Sequence, residues 1–150
     1  MHKLLFLFVF LFVVTNITQA QTAEDSVKAV INKMFAAMKN GDGKSLVDCF
    51  TDSAILQTVS DKNGEISIVN EPLKDFADFV STQPKDAADE RITFDLVKTD
   101  GALAIAWTPY KFYYKTNFSH CGVDSYQLVR INGTWKIQYL IDTRRKAPCE

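Results

Sequence analysis

The order of patterns along the chain predicts an α+β fold, with N-terminal helices packed on a curved antiparallel sheet. Apolar residues recur at three- and four-residue spacing in the early part of the chain, and from Arg91 onward the period becomes two. Asn63-Gly64, Asp100-Gly101 and Asn132-Gly133 supply the tight turns that such a sheet needs.

The chain opens with Lys3 followed by an unbroken apolar run from Leu4 to Val14, a polar stretch, and small residues at Thr18 and Ala20. This pattern predicts a signal peptide over residues 1–20, cut after Ala20, and export to a periplasmic or secreted location. The apolar run is shorter than the roughly 20 residues a spanning helix needs, so no integral membrane segment is expected after cleavage. Residues 21–150 are then one domain, long enough for a single core. Without Lys3, the 17 basic residues become 16 against 18 acidic ones. Such a balance exerts no long-range pull on nucleic acid.

Val27, Val30, Ile31, Met34, Phe35 and Met38 form one apolar stripe of a first helix. Thr22 and Asp25 are spaced as a capping pair, and Asn40-Gly41 supplies the stop. A shorter helix is expected from Gly43 to about Phe50, with Asp42 as its cap and Leu46, Val47 and Phe50 facing inward. Ala54–Val59 and Ile66–Val69 flank Asn63-Gly64 as a hairpin. Pro72 suits the first turn of a third helix, whose apolar face is Leu73, Phe76, Phe79 and Val80.

From there the sequence reads as sheet. Ile92, Phe94 and Leu96 alternate with Thr93 and Asp95, and a long strand runs from Ala102 to about Lys115. On that strand Ala104, Ala106, Thr108, Tyr110, Phe112 and Tyr114 share one face. Leu103, Ile105, Trp107 and Tyr113 share the other, so both faces are expected to be partly covered. Pro109 predicts an edge position, a bulge or a bend. A further strand is expected from about Val123 to Ile131, leaving Asn117–Gly122, with His120, as a loop. Trp135, Ile137, Tyr139 and Ile141 follow the last turn.

Export leaves Cys49, Cys121 and Cys149. Cys49 falls on an apolar helical face, which favours a disulfide between Cys121 and Cys149; three free thiols are the competing arrangement.

The opening helix ending in Asn40-Gly41-Asp42, the run Leu46–Ala54 and the closing hairpin Asn132–Ile137 together resemble the nuclear transport factor 2-like superfamily, in particular its small SnoaL-like members. The resemblance covers roughly residues 23 to 143. It implies a cone-shaped half-barrel in which a bent sheet wraps a long helix and leaves a pocket at its open end. The superfamily contains isomerases, dehydratases, cyclases, ligand binders and dimeric interaction modules, so fold alone does not select an activity.

In the ketosteroid isomerases of that superfamily an aspartate lies a few residues into the strand after the second helix. Here that neighbourhood reads Leu56, Gln57, Thr58 and Val59, and the position of their helix-borne tyrosine falls near Phe35. No catalytic residue is therefore assigned. His120 with Asp124 and Ser125 is adjacent sequence and not triad geometry. One histidine with scattered thiols gives no metal-ligand spacing, and no Gly-rich phosphate loop is present, so neither metal nor cofactor is expected.

What remains is an aromatic surplus in the sheet half. It points to a noncatalytic domain whose pocket takes a small apolar or amphipathic molecule, with Tyr110, Phe112 and Tyr126 in the lining. The alternatives are an isomerase-, dehydratase- or cyclase-like enzyme using Asp95 or Asp142, and a homodimeric interaction module using the sheet face. Asp95 shares the polar face with Thr93 and is expected in solvent.

Overall fold

The computed structural model describes residues 22–149, so the expected leader lies outside the described residues. Helix α1 spans Ala23–Asn40 and opens on a full capping box. The Thr22 hydroxyl accepts from the Asp25 N–H at 3.1 Å, while the Asp25 carboxylate reaches back to Thr22. Gly41, at φ +70°, ends the helix in the left-handed conformation that glycine adopts without strain. The expected stripe is buried apart from Val30, which is partly buried, with Val27 and Ile31 wholly inaccessible.

Helix α2 is shorter than its pattern suggested, Gly43–Val47, because β1 begins at Phe50 and runs to Lys62. Strand β2, Glu65–Asn70, returns from the Asn63-Gly64 turn, and α3 spans Leu73–Thr82. Gly43 lets α2 press on α3, since an added Cβ would stand 2.3 Å from the Ala77 carbonyl oxygen.

The remaining strands are β3 (Ala88–Ile92), β4 (Leu96–Asp100), β5 (Leu103–Tyr114), β6 (Asn117–Ile131) and β7 (Thr134–Thr143). They form a sheet in the order β2-β1-β7-β6-β5-β3, with β4 also paired to β5. All pairings are antiparallel except β1 with β7, so the sheet is mixed and unclosed. The helices cover its concave face, and one hydrophobic core joins α1, α2 and α3 to inward residues of the sheet.

Two expectations are corrected here. The alternating stretch around Ile92–Leu96 is two strands with a break at residues 93–95. Pro109 lies in an interior strand, opposite Val123 on one side and facing that break on the other. Its carbonyl accepts from the Thr93 N–H at 3.0 Å, so its missing donor falls where β3 has ended and β4 has not begun. Both faces of β5 are partly covered, though unequally. Ala104, Ala106, Thr108 and Tyr110 are buried, whereas Leu103, Ile105 and Trp107 on the convex face are 41–49% exposed.

Strand β6 begins six residues before the expected start, so His120 is a strand residue and not a loop residue. The turn before it is Lys115-Thr116, with φ values of +48° and +70°. Neither residue type advertises positive φ, and the sequence therefore conceals the hairpin.

A disulfide joins Cys121 and Cys149, while Cys49 is free and buried. The bond holds the C-terminal segment on β6, where Cys121 and Arg145 also exchange backbone hydrogen bonds of 2.9 and 2.8 Å. Among the described residues no helix is long and apolar enough to cross a membrane.

Candidate functional site

Between α1, α3 and the concave sheet lies a cavity of about 280 Å³. Its upper wall is apolar, supplied by Met34, Phe35 and Met38 of α1 and Phe76 and Phe79 of α3. These are the positions that the 3.6-residue period turns toward the sheet. Its floor is polar. Glu90 comes from β3, His120 and Asp124 from β6, and Asp142 from β7, with Glu71 and Arg144 at the edge.

Alternation along the strands explains why acids point into an apolar cavity. On β6 the buried residues Gly122, Asp124, Tyr126 and Leu128 share the inward face. Gly122 is required where it stands, because an added Cβ would lie 1.7 Å from the Thr143 carbonyl oxygen and 2.8 Å from the Tyr110 ring. On β3, Glu90 lies between inward Ala88 and partly buried Ile92. On β7 the phase changes. Trp135 and Ile137 face inward, and the extra residue Gln138 shifts the register so that Leu140 and Asp142 take over that face. The Gln138 side chain is used by β1, accepting from Thr51 Oγ1 at 2.8 Å and donating to the Ser53 carbonyl at 3.0 Å.

Asp124 is 4% exposed. Its Oδ2 accepts from the Thr108 and Tyr126 hydroxyls, each at 3.1 Å. Desolvation first, and the neighbouring Asp142 charge second, push its carboxyl up to about 7 in spite of those bonds. Glu90 is raised well above the carboxylate range, by burial first and then by the charges of Asp124 and Asp142. Desolvation likewise raises Glu71. Burial thus favours the protonated forms of Asp124 and Glu90.

Asp142 is differently served. Its Oδ2 lies 2.8 Å from Arg144 Nε and 3.2 Å from the Tyr110 hydroxyl, which also reaches the Thr143 carbonyl at 2.9 Å. Arg144 extends toward Glu71 at 3.8 Å. Burial, followed by the Arg144 charge, lowers His120, so its imidazole is neutral at pH 7. The ring packs edge-on to Tyr110 at 5.7 Å and tilted to Phe112 at 5.1 Å.

Of the residues singled out from sequence, Phe112, Tyr126 and Asp142 line the cavity. Tyr110 lies behind Asp142 and reaches the site through its hydroxyl. Asp95 is exposed in the β3–β4 connection, away from the cavity. Sequence reasoning missed Glu90, because the period-two pattern read from Arg91 starts three residues after β3 begins at Ala88. Ala88, Glu90 and Ile92 carried the signal. The carboxyl groups thus come from the strands opposite Phe35 and Leu56–Thr58, which supply apolar and neutral wall. Among the described residues, no three His, Cys, Asp or Glu side chains are disposed to ligate one metal ion.

Residues 22–139 match the model of a family described as putative lumazine-binding. Solved structures share the fold. A nuclear transport factor 2-like protein of unknown function from Shewanella baltica OS155 superposes with a TM-score of 0.64 at 15% identity, covering 81% of this chain and 93% of its own. One from Methylobacillus flagellatus KT gives 0.60 at 22% identity, covering 81% and 90%. A domain of unknown function with a cystatin-like fold from Nostoc punctiforme PCC 73102 gives 0.64 at 20%, covering 84% and 80%. No curated protein matches the chain.

Proposed function

The chain belongs to the nuclear transport factor 2-like family described as putative lumazine-binding, and from that membership we propose that its cavity binds a small, largely apolar molecule without transforming it. The observation that carries this reading is the cavity itself. It is preformed, walled by phenylalanine and methionine, and floored by a few convergent polar groups, the usual construction of a small-molecule site. At about 280 Å³ it suits a one- or two-ring body. A planar heteroaromatic such as a pteridine has the matching form, with two apolar faces and a polar edge for the Asp124 and Glu90 end.

The same reading takes residues 1–20 as an export leader and 21–150 as one domain. The Cys121–Cys149 bond supports an oxidising compartment. Native mass spectrometry of the protein purified from its host, compared with the denatured sample, is the test. A small mass lost on denaturation is expected, on a chain beginning at Gln21. A bare chain that also shows no binding heat across a library of pteridines and hydrophobic ligands refutes the reading.

One observation favours an enzyme of the isomerase, dehydratase or cyclase kind. A buried carboxyl held near neutrality is poised to give or take a proton, and Asp124 is such a group. That reading requires a bell-shaped pH profile lost in Asp124→Asn. The homodimer is proposed for the convex sheet face, where Leu96, Leu103, Ile105 and Trp107 stand exposed together. Sedimentation as a monomer at micromolar concentration excludes it.

A further inference from the structure

We propose that the molecule this cavity accepts is an organic cation, a protonated amine or amidine on an aromatic body, whose charge is seated between Glu90 and Asp124. The inference rests on the small-molecule reading above and specifies its chemistry.

The charge inventory of the cavity leads there. Four carboxyl groups face it, from the segment before α3 (Glu71), β3 (Glu90), β6 (Asp124) and β7 (Asp142). Against them stand the Arg144 guanidinium and a neutral His120; α1 contributes only apolar wall. The single cation is already committed to Asp142, at 2.8 Å, and to Glu71. Glu90 and Asp124 have no cationic side chain among their partners in the described residues: Asp124 meets two neutral hydroxyls and the Glu90 carboxyl, a carboxyl pair that holds a proton where a cation could sit.

The chain shows elsewhere how its fold treats a partly buried acid. Asp89, one residue before Glu90 and on the opposite side of β3, is held by Lys39 at 2.8 Å and Arg91 at 2.9 Å. Those partners keep its carboxyl below the ordinary range. Glu90 and Asp124 lack such partners and face a cavity that a ligand can occupy. An incoming cation supplies the missing charge, and the rings of Phe112 and Tyr126 beside it offer faces that also attract cations. A metal ion is a poor fit, since the described residues offer no three-ligand set.

Cation binding must displace the protons that the two acids hold in the empty cavity. Affinity for an amine therefore falls as pH drops, and binding near pH 7 releases protons. An anionic ligand behaves in the opposite sense, because it needs those protons in place.

The test uses three ligands with one indole body, tryptamine, tryptophol and indole-3-acetate, titrated calorimetrically into the mature, oxidised protein. At pH 7.5 tryptamine is expected to bind at least tenfold tighter than tryptophol, and indole-3-acetate weakest. The preference should shrink to under threefold at pH 5. In buffers of different ionisation enthalpy, tryptamine alone should show proton release. Glu90→Gln and Asp124→Asn should each lower tryptamine affinity at least tenfold at pH 7.5 and abolish its proton release, so either variant serves if the other fails to fold. Tryptophol or indole-3-acetate binding as tightly as tryptamine would overturn the cation assignment and leave the small-molecule reading standing. Failure of all three to bind would overturn the cation assignment, while the small-molecule reading falls only if the pteridine and hydrophobic library fails as well.

Discussion

Replacing Asp124 with asparagine should remove a large part of the pH dependence of stability between pH 5 and pH 8, leaving the same-signed dependence of Glu90, whose carboxyl is also raised. The folded-state carboxyl lies near 7, against 3.8 for an ordinary aspartate. As pH rises, the unfolded chain gives up this proton first, and the folded state is progressively penalised from about pH 4 until its own carboxyl ionises. A shift of about three pH units corresponds to a ceiling of about 4 kcal/mol, with about 2–3 kcal/mol of it falling between pH 5 and pH 8. The group is buried, so solvent screening does not reduce this greatly. For a domain of this size the wild-type melting temperature should fall by about 10 °C across that interval. Acids stabilised by their surroundings, such as Asp89, act in the opposite sense, and their contribution is lost only as pH drops below the ordinary carboxylate range. Asparagine keeps an oxygen for the Thr108 and Tyr126 hydroxyls and turns an N–H toward Glu90, so the fold is retained. The assay is thermal unfolding by circular dichroism at half-unit pH steps, without added ligand. Parallel profiles for the wild type and Asp124→Asn would refute the burial argument and the uncompensated charge with it.

Three further outcomes follow from the packing. Gly122→Ala should destabilise the protein by at least about 3 kcal/mol in urea, because the new Cβ collides with backbone at Thr143 and relief would move β6 from β7; a loss below 1 kcal/mol would contradict the close approach. Cys149→Ala should lower stability by about 3–4 kcal/mol, the chain-entropy value for a bond spanning 28 residues. Reduction should expose two additional alkylatable thiols in the denatured wild type, and none would sink the bond. Leu128→Ala, at a wholly buried core position, should reduce stability by about 3 kcal/mol as measured by chemical denaturation.

Helix α1 was legible because its apolar spacing, cap and stop agree at every level. The α1 stripe, the Thr22–Asp25 box and Gly41 each point to the same helix. The cavity walls follow from that legibility, since Met34, Phe35 and Met38 belong to the stripe. The floor was harder to read for two local reasons. At Lys115-Thr116 the chain turns with residues that do not announce a turn, so the first part of β6 and the strand placement of His120 were hidden. At Gln138 the inserted residue inverts the pattern within one strand. Trp135 and Ile137 predict that Asp142 faces out, and the bulge turns it in.

That inversion links fold and site. With strict alternation on β7, Ile141 would occupy the inward phase, and Arg144 would lose the carboxylate that fixes it beside the cavity. The bulge instead places Asp142 where it holds both Arg144 and the Tyr110 hydroxyl. One carboxyl of the floor is thereby satisfied from within the chain, while Glu90 and Asp124 retain protons in place of a cation. The asymmetry also directs the cavity's chemistry toward its β3–β6 end. A variant lacking Gln138 should shift the last strand by one residue, release Arg144, and abolish tryptamine binding and its proton release together. A deletion that kept both would show that Asp142 and Arg144 do not shape the site.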